Sequence, residues 1–280
     1  MNLPFRKAVI ASALLLTLFA GVGWAMQRGG WGRRGNSQDF GQRNGVPVWE
    51  HDPQFAHDGF TFARVIYNAY DRGWGGGKWR TDFPDADLNF SLRLQQLTSM
   101  KVNPQPVQLE LTDPRLADYP FLYMIEVGEI ALDEAEMAAM RNYCLSGGFI
   151  MIDDFWGDSA LMNLLQTLKR VFPDREPQEV PLEHEIFQCV YPLKEKPQIP
   201  SIHSWQSTGQ TYEYHDGDTR RPNYLAIHDD AGRIVMFICH NTDLGDGWER
   251  EGENREYFQE FAVKKAYPLG INIVTYAMTH

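Results

Sequence analysis

The run Gly147-Gly148-Phe149-Ile150-Met151-Ile152-Asp153-Asp154-Phe155 constrains this chain more than any other segment. A glycine pair ends a helix, an apolar run makes a buried strand, and two adjacent carboxylates stand at its end. Desolvating an unpaired carboxylate costs roughly several kcal/mol, so such a pair beside a packed strand is rarely there for stability. In open α/β sheets, ligands bind at the carboxyl ends of strands.

The surrounding pattern supports that reading. Phe62 to Tyr67, Gln105 to Leu111 and Phe121 to Glu126 read as strands. Helices follow from Leu88, Leu92, Leu94 and Leu97, from Leu132 to Leu145, and from Asp158 to Phe172. Tyr224 to His228 and Arg233 to His240 read as strands joined by an Asp229–Gly232 hairpin turn, and Pro268 to Met278 as a closing helix. Strands alternating with helices predict an α/β fold with a mainly parallel sheet covered on both faces. Residues 174–223, rich in Pro, His and aromatics, break the rhythm and read as an insertion over the carboxyl edge.

The N-terminus reads as an export signal. Arg6 and Lys7 precede an uncharged run from Ala8 to Trp24, and Gly23-Trp24-Ala25 suits cleavage after Ala25. The alternative is an uncleaved anchor over residues 8–25, since the run approaches the length of a bilayer span. The protein would then be periplasmic, or tethered through that segment alone. Residues 26–58 read as a Gly/Arg-rich linker and entry segment, and residues 59–280 as one domain. A formal net charge of -11 argues against a nucleic-acid partner bound through phosphates. Cys144, Cys189 and Cys239 are odd in number with no CxxC spacing, and no pairing follows from them.

A parallel sheet gathers its carboxyl ends on one edge. That edge would collect Trp74, Lys78, Trp79, Asp82 and Asp85 after the first strand, Glu126, Asp153, Asp154, and His240 to Asp243. His184 would join from the insertion, with Trp248 and Glu249 close behind. Carboxylates with imidazoles suit a divalent metal, or a general acid and base whose pKa values are split by repulsion. The bland alternative has Asp153, Asp154 and Asp243 capping helices or bonding loop amides. Gly73-Trp74-Gly75-Gly76-Gly77-Lys78 is no Walker loop, because Trp79 follows the lysine. A lid with stacking tryptophans fits it better, and a solvated hairpin-like loop fits it equally well. No G-x-S-x-G elbow, HExxH or EF-hand pattern occurs.

The chain from about Phe60 resembles an exported bacterial domain of unknown function, family 4159. The matching pieces are Asp82-Phe83-Pro84-Asp85-Ala86-Asp87, Tyr119-Pro120-Phe121-Leu122-Tyr123, Gly147-Gly148 through Asp153-Asp154, and Leu269 through Ala277. It is also similar to ThuA-like proteins and the class I glutamine amidotransferase-like superfamily. They share the Gly-Gly strand and a Gly-Arg strand ending near a His, here Gly232-Arg233 through His240. The resemblance implies a flavodoxin-like three-layer sandwich plus an insertion. It does not imply amidotransferase activity, because Asp153-Asp154 stand near the place of the superfamily's catalytic Cys. Three functions remain in view. The first is binding of a small polar ligand, a carbohydrate or peptide fragment, with Asp82, Asp85, Glu126 and Trp248 as contacts and Trp74 and Trp79 as walls. The second is hydrolysis by Asp153, Asp154, His240 and Asp243, with or without a divalent metal. The third is a structural role with an envelope protein as partner.

Overall fold

The computed structural model describes residues 45–50, 59–70 and 77–280. The signal or anchor segment, most of the linker, and Trp74 lie outside the described residues. Among the described residues no helix is long and apolar enough to cross a membrane.

The strands are β1 (Ala63–Ile66), β2 (Val107–Glu110), β3 (Phe121–Ile125), β4 (Phe149–Phe155), β5 (Gln178–Glu179), β6 (Asn223–His228) and β7 (Ile234–His240). They form a 7-stranded sheet in the order β2-β1-β3-β4-β7-β6-β5. β2, β1, β3, β4 and β7 run parallel, while β6 and the short edge strand β5 pair antiparallel. The mainly parallel α/β architecture read from the sequence is therefore the one observed.

Period-two alternation sends strand side chains to two cores. On one face Phe121, Tyr123, Phe149, Met151 and Phe237 pack with Phe90 of α1 (Asp85–Leu97), Trp248, Phe261 and Ile273. On the other face Leu122, Ile150, Ile152 and Ile238 pack with Met137 and Met140 of α2 (Glu134–Leu145) and Leu164 and Leu168 of α3 (Asp158–Val171). Each large apolar side chain so buried contributes about 1.5–3 kcal/mol. The glycine pair does two different jobs. Gly147 has φ 112°, a conformation closed to most residues. A Cβ on Gly148 would stand 2.3 Å from the Tyr143 ring.

Three elements differ from the sequence reading. First, β4 does not stop at Ile152. It continues to Phe155 with a register break between Ile152 and Phe155, where Asp154 takes φ 49°. The bulge turns adjacent carboxylates in different directions. Second, helix α5 (Leu244–Glu249) follows β7 directly, capped by Asp243, whose side chain accepts from the Asp246 amide. Third, the closing helix begins earlier. A turn of helix (α6, Arg255–Tyr257) and a π-helical stretch (Phe258–Ala266) run into α7 (Tyr267–Thr279). Pro268 stands just past the π-helical stretch, so the helical bond that its missing N–H cannot make falls at the junction of the two helix types. The insertion also divides. Its second half, with α4 (Ile202–Thr208), reaches the carboxyl edge. His184 instead lies beside Tyr276, whose hydroxyl accepts from the Ile234 amide at the opposite end of β7.

Candidate functional site: an acidic cavity at the carboxyl edge

An open cavity of about 630 Å³ lies where the chain order reverses between β1 and β3. The turn after β1 supplies Lys78, Thr81 and Asp82, and the end of β3 supplies Glu126 and Glu129. The end of β4 supplies Asp154, Phe155 and Trp156, while Asp243, Asp246 and Arg250 come from α5 and its cap. The insertion adds Ser201, His203, Glu213 and His215. The backbone is unusual here. Asp82, Glu126, Asp154 and Asn241 have φ of 61°, 52°, 49° and 58°, and all stand at this edge. Left-handed non-glycine residues cost energy, about 1–3 kcal/mol for the less tolerant types, and tend to cluster at functional sites.

Carboxylates dominate the chemistry. One oxygen from each of Asp82, Asp154 and Asp243 lies within 4.8 Å of the others, and the same holds for Asp82, Asp246 and Glu249. Asp82 Oδ2 is closed off from solvent, and no hydrogen-bond donor reaches it among the described residues. A Cβ on Gly245 would fall 2.4 Å from that oxygen, so the glycine leaves room for the carboxylate. Burial pushes Asp82 well above the usual carboxylate range, and Glu249, Asp246 and Asp154 push it further. Asp154 and Asp243 are raised well above it in the same way, by burial first and neighbouring carboxylates second. Glu249 is raised to about 7 by burial, against the pull of Arg250. Cations balance part of this. Lys78 pairs with Glu126 at 2.7 Å, and Arg250 reaches Asp246 at 3.1 Å and Glu249 at 2.7 Å.

The two central aspartates part company. Asp153 is fully buried beneath the cavity. It accepts from the Tyr123 hydroxyl at 2.9 Å and from the Leu244 and Gly245 amides at 3.3 and 3.0 Å. It thus anchors the start of α5, and burial raises it to about 7 even against those hydrogen bonds. This is the helix-amide role of the bland reading, played toward α5 rather than the following α3. Asp154 faces the cavity, and its Oδ1 accepts from the Trp156 indole at 3.2 Å.

Of the other residues singled out in the sequence, Asp82, Glu126 and Asp243 line the cavity with Asp154. His240 does not. Its Nε2 lies 2.9 Å from the Gly157 carbonyl, its ring packs on Phe155, and burial lowers its pKa. Trp248 is core, packed on Phe90 at 4.5 Å and Tyr123 at 5.8 Å. Trp79 is buried as well, with its ring beside Phe83. Both indoles are turned into the protein because the apolar layers need their area more than a ligand wall does. Asp85 stands in the first turn of α1, off the cavity lining, where the helix N-terminus favours a carboxylate. Sequence reading missed Asp246, His203, Glu213, His215 and Trp156. Only Asp246 carried a signal, the Asp-x-x-Asp spacing of a capped helix. Trp156 and His215 stack with ring centroids 6.2 Å apart, giving the cavity the aromatic wall that Trp79 does not.

All three cysteines are free, with Cys144 and Cys239 buried and Cys189 exposed. The sequence matches the family described as Domain of unknown function (DUF4159) over residues 61–278, and the chain belongs to that family. No curated protein matches it.

Proposed function

We propose that this DUF4159 protein uses the carboxyl-edge cavity to take up a divalent cation and, through it, a small polar ligand. Asp82, Asp154 and Asp243 would hold the cation. The observation that carries this reading is the buried, donor-less Asp82 Oδ2 at the meeting point of two carboxylate groups. Oxygens on opposite sides of a calcium ion stand about 5 Å apart, so the observed spacing suits hard-cation ligation. A cation would also relieve the repulsion that raises these carboxyl groups. His203, His215, Glu213 and Trp156 on the cavity wall suit a carbohydrate or peptide fragment as the ligand.

A second reading, hydrolysis, is favoured by one observation: Asp82 belongs to both carboxylate groups. A carboxylate shared between adjacent cation positions is compatible with a two-metal site, in which the ions lower the pKa of bound water. The fold supports a related proposal. The parallel order β2-β1-β3-β4-β7 is that of a flavodoxin-like sheet, in keeping with a class I glutamine amidotransferase-like domain over residues 59–280. On that reading the thiolate chemistry is lost. Cys144 and Cys239 are buried with raised pKa, and Cys189 is off the cavity lining. We also read residues 1–25 as directing export to the periplasm, on sequence grounds alone.

The test is a thermal-shift and metal-content screen with Ca²⁺, Mg²⁺, Mn²⁺ and Zn²⁺ on the wild type and on Asp82→Asn/Asp154→Asn. Binding should raise the melting temperature of the wild type only. An equal response in both proteins would sink the cation site. Product release from a panel of polar esters and glycosides separates hydrolysis from binding alone.

A further inference from the structure

Arg64 stands in the middle of β1 and is fully buried. A charge there needs full pairing, and Asp87 of α1 supplies it. Arg64 Nε lies 3.1 Å from both Asp87 oxygens, and Nη2 lies 2.5 Å from Oδ1. The outer nitrogen Nη1 does something else. It donates to the Trp79 carbonyl at 2.9 Å and the Thr81 carbonyl at 2.8 Å. These carbonyls belong to the turn that ends in Asp82. Below, the guanidinium lies 4.9 Å from the centre of the Tyr123 ring, and the Tyr123 hydroxyl continues to Asp153 and the start of α5.

A buried ion pair is weak evidence for stability, because apolar residues of similar volume often serve as well. What apolar residues cannot do is grip the two carbonyls of the turn that leads into the left-handed Asp82. Lysine cannot replace the grip fully either, since it offers one compact charge and no fork. We infer that Arg64, held in place by Asp87, is a positioning residue that sets the Asp82 carboxylate in the cavity. The inference rests on the cation-site reading for its consequence, but not for its geometry. Arg64 touches no cavity space itself. It acts through the Trp79–Thr81 backbone, as a supporting residue behind a ligand does.

The test uses the full chain with Arg64→Met/Asp87→Leu, which removes both charges, and Arg64→Lys, which keeps one. The double variant should fold with a melting temperature near that of the wild type. Its affinity for Ca²⁺ or Mg²⁺, by calorimetry, should fall about ten- to a hundredfold. Arg64→Lys should lie between the two. Crystal structures of the variants should show the 78–82 turn and the Asp82 carboxylate displaced. Wild-type cation affinity in a folded double variant overturns the inference, as does wild-type affinity in Arg64→Lys if the double variant does not fold. If the wild type binds no cation, the cation site fails instead. The position of Asp82 in the Arg64→Lys structure then decides the clamp, and an unmoved carboxylate overturns it.

Discussion

The two edges of this one sheet are built on opposite terms. At the amino edge Arg233 and Asp229 satisfy each other and the backbone around them. Arg233 donates to the Gly147 and Cys144 carbonyls at 3.0 and 3.2 Å and pairs with Asp229 at 3.0 Å. Asp229 also accepts from the Ala231 and Arg233 amides, and although burial raises its carboxyl, these bonds leave it below its usual range. At the carboxyl edge Asp82, Asp154 and Asp243 are raised, the backbone is left-handed at Asp82, Glu126 and Asp154, and Asp82 Oδ2 has no donor among the described residues. The same strands feed both ends. The difference therefore lies in how each edge treats its carboxylates, satisfied by hydrogen bonds within the protein at Asp229 and crowded against one another around Asp82.

Acidity should separate the edges most. Asp153 and Glu249 are each raised to about 7. Below the unfolded carboxylate range both are neutral folded or unfolded. As pH rises toward 7 the unfolded chain loses their protons first, so stability falls by about 1.4 kcal/mol per pH unit for each group. Asp229 has the opposite sign, since its folded pKa is lowered and its contribution is lost only as pH falls below the unfolded range. Urea denaturation from pH 4.5 to 8, compared with Asp153→Asn/Glu249→Gln, measures the carboxyl-edge part. A pH profile shared by both proteins would erase the contrast. Next in size, Arg233→Ala should cost about 2–3 kcal/mol by urea denaturation, because it strips a charged donor from partly buried carbonyls, with cation response intact. Gly245→Ala places a Cβ 2.4 Å from Asp82 Oδ2 and 2.8 Å from the Tyr123 hydroxyl. Such overpacking should cost about 1–2 kcal/mol and weaken any cation-dependent rise in melting temperature. Smallest, Asp82→Asn should stabilise the cation-free protein by about 1 kcal/mol, as removal of a carboxylate from a crowded, buried acidic group does. Asparagine keeps the left-handed turn, so a loss of stability would instead make Asp82 structural.

Part of the site was legible along the chain. Asp82, Glu126 and Asp243 each follow a strand and Asp154 stands near the end of one, and parallel strands bring such positions to one edge whatever the packing detail. Asp153 and a helix-amide role for it were both visible, but its separation from Asp154 was not, because the bulge that turns the two apart is a matter of register with β7. Trp79 and Trp248 were assigned outward by position and lie inward by packing, while His240 takes the hydrogen-bonded structural place that was its bland alternative. A linear reading cannot tell which side of the backbone an aromatic residue takes after a strand ends. His203, Glu213 and His215 reach the cavity from an insertion whose path no periodicity describes.

The sequence by itself determined the alternation of strands and helices, the helix-ending glycine pair and the concentration of aspartates at strand ends, since these depend on local periodicity and on residue chemistry. Only the tertiary structure decided that Arg64 lies beneath Asp82, that Asp153 holds α5, and that Asp246 and Glu249 face Asp82. These are contacts between residues far apart in the chain, and nothing but the packing of the whole sheet against its helices brings their charges together.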